Sequence, residues 1–345
     1  MKIVADERVA ALGETFGRHG AVLRLDGREI EREHLKGSDA LLTRTVTRVD
    51  RHLLERTSVR FVGTGTIGSD HIDTAYLERL GIRWTAAPGC NADATAQYTL
   101  AMYLLACRRL GKAPRTQRFG IVGKGNVGGR LAELLGKLGV KTIACDPPLE
   151  TQGVQDLYPI EEILGCDAVS LHVPLTGSGR WPTYRMFNTE MFEMLSTESL
   201  LINACRGDVI DGAALRHWQS QGGSTALDVW PGEPEIDADI LGRSIVASPH
   251  IAGYSLDGKY RASAMVYGAF CESFGLEALA APEAPPAAPD LDVHPGDFES
   301  ALLDACPVER DDAAMRGLLE MPAGQRAEAF HQLRSGYPLR RDLPL

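Results

Sequence analysis

The sequence predicts an α/β protein: two Rossmann-like or flavodoxin-like parallel-sheet domains, followed by a small C-terminal segment suited to dimerisation. Three observations predict it. Short apolar runs alternate with amphipathic helical stretches twice, over residues 1–86 and again over residues 119–247. A run of spaced glycines, Gly123-Lys124-Gly125-Asn126-Val127-Gly128, opens the second series. An alanine- and proline-rich stretch, residues 278–289, then sets off a tail of short helical pieces. Alternation of this kind makes βαβ units, which pair their strands in parallel.

In the first series, residues 1–5, 40–43, 60–65 and 83–86 read as strands. The stretches around Leu53 and Leu54 and over 74–80 have amphipathic helical spacing. Residues 94–110 read as one long helix, apolar on most faces and so expected to be buried at a seam between domains. In the second series the strands are 119–122, 141–145, 168–172, 200–203, 225–228 and 245–247, with helices between them, notably 127–138 and 189–195. Six strands in βα alternation is the count expected of a complete dinucleotide-binding sheet. Residues 256–274 read as a helix returning toward the first domain. Residues 278–289 read as a linker, because alanine and proline at that density cannot build a packed core. In the tail, pieces 298–306, 311–319 and 325–333 are broken by Pro307, Pro322 and Pro338. Three short helices bury little surface alone, so they are expected to dock, most simply on another subunit.

Composition narrows the function classes. The chain has 345 residues, of which 44% are hydrophobic and 24% charged, the profile of an ordinary soluble globular protein. A formal net charge of −10 argues against nucleic-acid or acidic-membrane partners, while local arginines can still receive an anionic substrate. The opening MKIVADERVA lacks the apolar run of a signal peptide and no stretch is long enough to span a bilayer, so a cytoplasmic protein is expected. Seven scattered cysteines without C-x-x-C spacing fit reduced thiols and no metal site.

The glycine run follows a strand and enters a helix with Leu131, Leu134, Leu135 and Leu138 on one face. Gly123 permits the tight turn, Gly125 lets backbone approach a pyrophosphate, and Gly128 allows close helix–strand packing. Amides at the helix start then face the phosphates. Asp146 closes the next strand, where a carboxylate accepts hydrogen bonds from ribose hydroxyls and repels a 2′-phosphate. NAD is therefore the expected cofactor, in preference to NADP.

Three polar residues follow successive strands of the same series: Arg206 in Asn203-Ala204-Cys205-Arg206-Gly207, Glu233 in the segment from Asp228, and His250 in Ser248-Pro249-His250-Ile251-Ala252-Gly253-Tyr254. Parallel strands deliver such loops to the sheet edge where a dinucleotide binds. Oxidising a 2-hydroxy acid needs a base, a partner for the protonated base and a cation for the carboxylate. His250 suits the first role, Glu233 the second and Arg206 the third. In the first domain Arg44-Thr45 and Thr64-Gly65-Thr66 each follow a strand, offering hydroxyls, amides and, at Arg44, a charge that suits a phosphate.

The glycine fingerprint and the Arg206, Glu233 and His250 segments resemble the D-isomer-specific 2-hydroxyacid dehydrogenases, and within them a branch acting on a phosphorylated sugar acid. Phe61-Val62-Gly63-Thr64-Gly65-Thr66 and Ala86-Ala87-Pro88-Gly89-Cys90-Asn91 extend the likeness, which runs from Met1 to about Arg341. The resemblance implies catalytic roles for Arg206, Glu233 and His250, with His250 as acid and base. It implies NAD contacts from Asp146, Asp228 and Gly253 and from backbone around Asn126, Val127, Ala204 and Cys205. It implies substrate contacts from Thr45, Thr66 and Tyr254, a small phosphorylated hydroxy-acid substrate, and a homodimer. The implied domains are a substrate-binding lid over 1–93 and 257–280, an NAD-binding domain over 94–256, and a dimerisation segment over 290–345. Three residues depart from the family's pattern: Thr45 replaces serine, Lys124 puts a charge between the first two glycines, and Val173 replaces threonine. The tail also reads as shorter than the family's dimerisation domain. A 3-phosphoglycerate or hydroxypyruvate/glyoxylate-type dehydrogenase shares the triad. A non-catalytic NAD-sensing scaffold shares the fold, but retention of all three polar residues argues against it.

Overall fold

The computed structural model describes residues 1–280, 283–285 and 298–344. Strands β1 (Lys2–Asp6), β2 (Ala21–Leu25), β3 (Ala40–Thr43), β4 (Phe61–Thr64) and β5 (Arg83–Thr85) alternate with short helices that include α1 (Arg51–Leu54) and α2 (Thr74–Arg79). The long helix α3 (Ala92–Leu110) follows. Then come β6 (Arg118–Val122), α4 (Asn126–Lys137), β7 (Lys141–Cys145), α5 (Pro147–Thr151), α6 (Ile160–Leu164) and β8 (Ala168–Leu171). After these the chain forms α7 (Thr189–Met194), β9 (Leu200–Asn203), α8 (Gly212–Ser220), β10 (Ser224–Leu227), α9 (Ala238–Arg243) and β11 (Val246–Ala247). Helices α10 (Leu256–Phe274), α11 (Phe298–Ala305), α12 (Val308–Arg316) and α13 (Ala323–Ser335) complete it. Many helix starts are set by a side chain that accepts an amide otherwise left without a partner: Asp50, Asp73, Asn188, Asp211 and Asp237 all cap in this way.

The chain divides into two compact units, Met1–Asn91 with Ser255–Ala287 and Ala92–Tyr254 with Ala288–Leu345. In the first unit, five parallel strands run in the order β2-β1-β3-β4-β5. Successive residues of β1 point to opposite faces, and both faces are covered. Ile3 and Ala5 join Phe16, Val266 and Phe270 on one side, while Val4 packs with Leu41, Val62 and Leu77 on the other. Helix α10 lies so close to β4 that a Cβ at Gly63 would meet Val266 at 2.4 Å. The sequence predicts four of these strands and misses β2. Its run Ala21-Val22-Leu23-Arg24-Leu25 is largely apolar, but at the sheet edge Ala21, Leu23 and Arg24 stay exposed and no in-out alternation marks a buried face. Its place comes from pairing with β1.

The second unit has the expected six parallel strands, in the order β11-β10-β9-β8-β6-β7. Strand order reverses between β6 and β8, which opens the crevice where doubly wound sheets bind ligands. Helices α3 and α4 cover one face of the sheet over Phe119, Ile121 and Ile202. Side chains from α6, α7 and α8 cover the other over Val169, Leu171 and Leu201. Helix α3 is buried, as its apolar faces predict, and within the second unit it is packed by α4, α11, α12, β10 and β11.

The tail's three helices form close to the predicted bounds and dock, as expected of short helices, here on the second unit's own core. Leu302, Val308, Met315, Leu318 and Phe330 are buried against the second unit's own core. The physical reason is an open flank: β11 ends the sheet, and α12 packs along it and against α3. The expected linker over 278–289 lies partly outside the described residues, as does the start of the 290–345 segment; residues 278–280 and 283–285 carry no regular secondary structure.

Candidate active site

The glycine loop leaves β6 at the point where strand order reverses. Gly123 has φ +92°, and a Cβ there would meet the His172 carbonyl oxygen, just past β8, at 2.6 Å. A Cβ on Gly128 would meet the Gly123 carbonyl oxygen at 2.0 Å. The protein's own packing thus dictates the first and third glycines. Gly125 is different: a Cβ there would meet nothing within 4 Å. The space at the start of α4 is left open by the protein, which is the cradle a pyrophosphate requires. Asn126 and Val127 follow in the first turn, with amides pointing out of the helix start. Asp146 sits at the end of β7; one carboxylate oxygen accepts the Lys124 amide at 2.8 Å and the other caps α5 through Leu149 at 3.0 Å. It remains half-buried, with lone pairs to spare for a ribose.

The second cluster is built from the loops after β9, β10 and β11. Asn203, buried at the end of β9, ties its loop shut: its amide donates to the Arg206 carbonyl at 2.9 Å, and its oxygen accepts the Cys205 amide at 3.0 Å. A Cβ on Gly207 would meet the Trp230 carbonyl oxygen at 1.8 Å, so the Arg206 loop is pressed directly on the loop that carries Glu233. Asp208 reinforces that contact by accepting the Gly232 amide at 3.0 Å. Glu233 then bridges two elements. Its Oε1 accepts the Trp230 amide at 2.7 Å, and its Oε2 lies 2.7 Å from Nδ1 of His250. Burial pushes the Glu233 carboxyl up, but the charge and hydrogen bond of His250, with Arg334 and the Trp230 amide, outweigh it and leave the group below its ordinary value.

His250 adopts φ +58°, a left-handed conformation that a residue with a side chain takes only when its surroundings hold it. The holder is Asp228. The Asp228 carbonyl accepts the His250 amide at 2.7 Å, and its buried carboxylate accepts Ser248 Oγ at 2.6 Å and the Ile251 and Ala252 amides at 2.8 and 2.9 Å. Three acceptor positions are thereby committed to the protein, leaving about one of a carboxylate's four for a ligand. Ala204 is buried and Gly253 half-buried beside these loops. Cys205 donates to Asn203 Oδ1 at 3.1 Å, and burial pushes its thiol up, so it contributes backbone and not a thiolate.

Sequence reasoning missed the tail's share in this loop. Arg340 donates to the carbonyls of Ile251 and Ala252 at 3.0 and 2.6 Å and stacks its guanidinium 4.5 Å above the Tyr98 ring of α3. Tyr337 packs edge-on against Tyr254 at 6.3 Å. Asp312 accepts the Ala247 amide at 2.8 Å. No local pattern signals these contacts, since they join residues more than 60 positions apart. His172 was also missed. It bonds Ser170 through Nε2 at 2.8 Å, leaves Nδ1 buried without a partner, and is driven down to about 3 by burial, so it stays neutral at the crevice.

The remaining predicted residues lie in the first unit. Arg44, after β3, donates from Nε to the buried Asp6 at 2.9 Å. Thr45 follows it in the same loop, exposed. Thr66, after β4, shares a hydrogen bond with Thr64 at 2.8 Å and donates to the Gly68 carbonyl at 3.0 Å.

Residues 92–252 match the family described as D-isomer specific 2-hydroxyacid dehydrogenase, NAD binding domain. Across 99% of its length the chain is 44% identical to the erythronate-4-phosphate dehydrogenase of Stutzerimonas stutzeri and 43% identical to that of Marinobacter nauticus, covering 93% of each. Among solved structures it is similar to an NAD+-bound 3-phosphoglycerate dehydrogenase from Entamoeba histolytica, with TM-score 0.71 at 22% identity over 84% of this chain and 99% of that one. It is also similar to a D-lactate dehydrogenase from Aquifex aeolicus complexed with NAD and lactic acid, with TM-score 0.67 at 23% identity over 80% and 96%. These two likenesses show the fold, and the full-length relatives show more: the chain belongs to the erythronate-4-phosphate dehydrogenase family, among the D-isomer specific 2-hydroxyacid dehydrogenases.

Proposed function

We propose that this protein oxidises 4-phospho-D-erythronate at its 2-hydroxyl, giving 3-hydroxy-2-oxo-4-phosphooxybutanoate, a step of pyridoxal 5′-phosphate biosynthesis. The observation that carries the reading is the 2.7 Å contact between Glu233 and His250, held on loops interlocked with that of Arg206 at the carboxyl edge of a dinucleotide-binding sheet. Relatives of that activity align over nearly the whole chain. The cofactor is NAD, which when bound supplies the hydride acceptor.

The chain's own residues do the rest. Glu233, ionised, fixes His250 so that Nδ1 faces the carboxylate and Nε2 is left to face the substrate hydroxyl. His250 accepts the hydroxyl proton as the carbon is oxidised, and Glu233 stabilises the imidazolium that results. Arg206 offers its planar fork to the substrate carboxylate and to the carbonyl oxygen that develops beside it. Gly123, Gly125, Asn126, Val127 and Gly128 would hold the pyrophosphate, and Asp146 the adenosine ribose. Ala204, Cys205, Asp228 and Gly253 would border the nicotinamide. Thr45, Thr66 and Tyr254 bind substrate by analogy with the family. Among the described residues no helix is long and apolar enough to cross a membrane, and a cytoplasmic homodimer is the proposed setting.

The test is turnover of purified protein with NAD on 4-phospho-D-erythronate and, separately, on 3-phosphoglycerate. A kcat/KM at least about 100-fold higher for the first is expected, a difference of some 3 kcal/mol in transition-state binding. Preference for 3-phosphoglycerate would overturn the substrate. NAD binding without oxidation of either would revive the scaffold reading.

A further inference from the structure

The first unit has the strand order β2-β1-β3-β4-β5, in which the direction of strand addition reverses between β1 and β3. In such sheets the loops after the two reversing strands diverge and open a crevice at the carboxyl edge, where ligands bind. This unit therefore has a switch point of its own. The residues at it are basic.

Asp6 ends β1 and is fully buried. Its Oδ1 accepts the Arg8 amide at 2.9 Å, and its Oδ2 accepts Arg44 Nε, from the loop after β3, at 2.9 Å. The Gly27 loop is pressed on the same carboxylate, since a Cβ at Gly27 would meet Asp6 Oδ2 at 2.2 Å. One buried acid thus fixes the loops that carry Arg8 and Arg44 on either side of the reversal. Helix α10 brings a third cation. Ser263 donates to the Ala10 carbonyl at 2.6 Å, which sets that face of the helix against the segment just past Arg8. Lys259 stands one turn earlier on the same face.

Lys259 is placed against the grain of its helix. The first turn of a helix favours anions, as Asp257 there does, and disfavours a lysine. Burial and then the neighbouring Arg44 and Arg8 push the ammonium below its ordinary value, with Asp6 the weaker opposing influence. Asp26 responds to the same cations: the Arg28 amide holds it low, with Arg8, Arg28 and Arg44 contributing. A cluster that makes a lysine less willing to hold its proton gains stability from a dianion.

We infer that the first unit carries its own phosphate-monoester site at the β1/β3 reversal, formed by Arg8, Arg44 and Lys259 around the Asp6 anchor. It rests on the substrate reading above only for the identity of the phosphate: that of 4-phospho-D-erythronate. Arg44 and Arg8 supply planar donors, Lys259 a compact charge, and the start of α10 a favourable dipole.

The experiment uses the full chain with Arg8→Gln, Lys259→Met and Lys259→Arg, each checked for a native thermal transition. Steady-state kinetics on 4-phospho-D-erythronate should show KM raised about 30-fold in Arg8→Gln and Lys259→Met, with kcat within about 3-fold of wild type, as expected for loss of one charge-assisted contact made equally in ground and transition state. Lys259→Arg should recover most of the loss. Calorimetric titration with inorganic phosphate should show binding to wild type weakened at least about 10-fold in Lys259→Met. If wild type does not oxidise 4-phospho-D-erythronate, the substrate reading falls while the phosphate titration still decides this site. Unchanged phosphate affinity in Lys259→Met, or a loss confined to kcat, would overturn it. Should Lys259→Met fail to fold, equal phosphate affinity in Arg8→Gln and wild type would do the same.

Discussion

At the residue scale, the proposed chemistry rests on a carboxylate and an imidazole whose relation the backbone enforces. His250 is held in a left-handed conformation by the Asp228 carboxylate, and Glu233 meets it at 2.7 Å. His250→Ala should abolish hydride transfer and leave NAD affinity nearly intact, read by single-turnover absorbance and by nucleotide titration. Glu233→Gln should lower kcat by about 100- to 1,000-fold, because the imidazolium of the base His250 loses the carboxylate that stabilises it. Loss of NAD binding in either variant would show that the loop had collapsed and not merely lost its chemistry. His172 and Glu233 also separate in pH. His172 has a folded value near 3 against an ordinary 6.5, so below 6.5 the unfolded chain binds a proton that the folded one does not. Stability should therefore fall as pH drops from 6.5, by up to about 1.4 kcal/mol per pH unit from this one group. Glu233 acts lower down: its depressed value adds stability above the ordinary 4.5, which is lost as pH falls through its folded value. Urea unfolding at pH 7, 6 and 5 isolates the histidine. A His172→Gln variant with an undiminished slope over that range would refute the assignment.

At the element scale, the turn from β6 into α4 shows how three glycines with one spacing have different causes. Gly123 and Gly128 are required by backbone that lies 2.6 and 2.0 Å from where a Cβ would stand. Gly125 has no such neighbour, so its demand comes from outside the chain. Gly125→Ala should shift Tm by no more than about 2 °C, since the substitution meets no atom and lowers chain entropy in the unfolded state. It should nonetheless weaken NAD binding at least 10-fold, as a rough figure for a methyl placed against the pyrophosphate. Gly128→Ala should damage both, measured by the same thermal melt and nucleotide titration. This fingerprint was legible in the sequence because its causes are local: a strand, a turn and a helix within about 20 residues. Strand β2 was not legible for the opposite reason. Its residues are largely exposed, and only hydrogen bonding to β1 makes them a strand.

At the scale of the whole molecule, the C-terminal tail is part of the structure that holds the proposed base. Arg340 stands 89 residues from Ile251 and closes two of the carbonyls of its loop, while Asp312 takes the Ala247 amide on the last strand. Arg340→Met should cost about 2–4 kcal/mol, because two buried carbonyls lose their donor. It should lower kcat more than it weakens NAD binding, since the loop it holds carries His250 and not the glycine turn. Chemical unfolding and nucleotide titration check this together. Full stability in Arg340→Met would show the tail to be an appendage.

The sequence by itself determined the α/β class, the six-stranded nucleotide-binding sheet, the glycine turn with its acid, and the identities of Arg206, Glu233 and His250 as the polar residues delivered to one sheet edge. These follow from periodicity and from parallel topology, which act over a few neighbouring residues and place strand ends together whatever lies beyond. Tertiary structure alone decided the edge strand, the burial of the tail against its own unit, the clamp of Arg340 on the histidine loop, and the gathering of Arg8, Arg44 and Lys259 around Asp6. Each of these pairs groups far apart in the chain. Their stabilisation comes from hydrogen bonds and packing that exist only once the intervening segments have folded, so no local pattern records them.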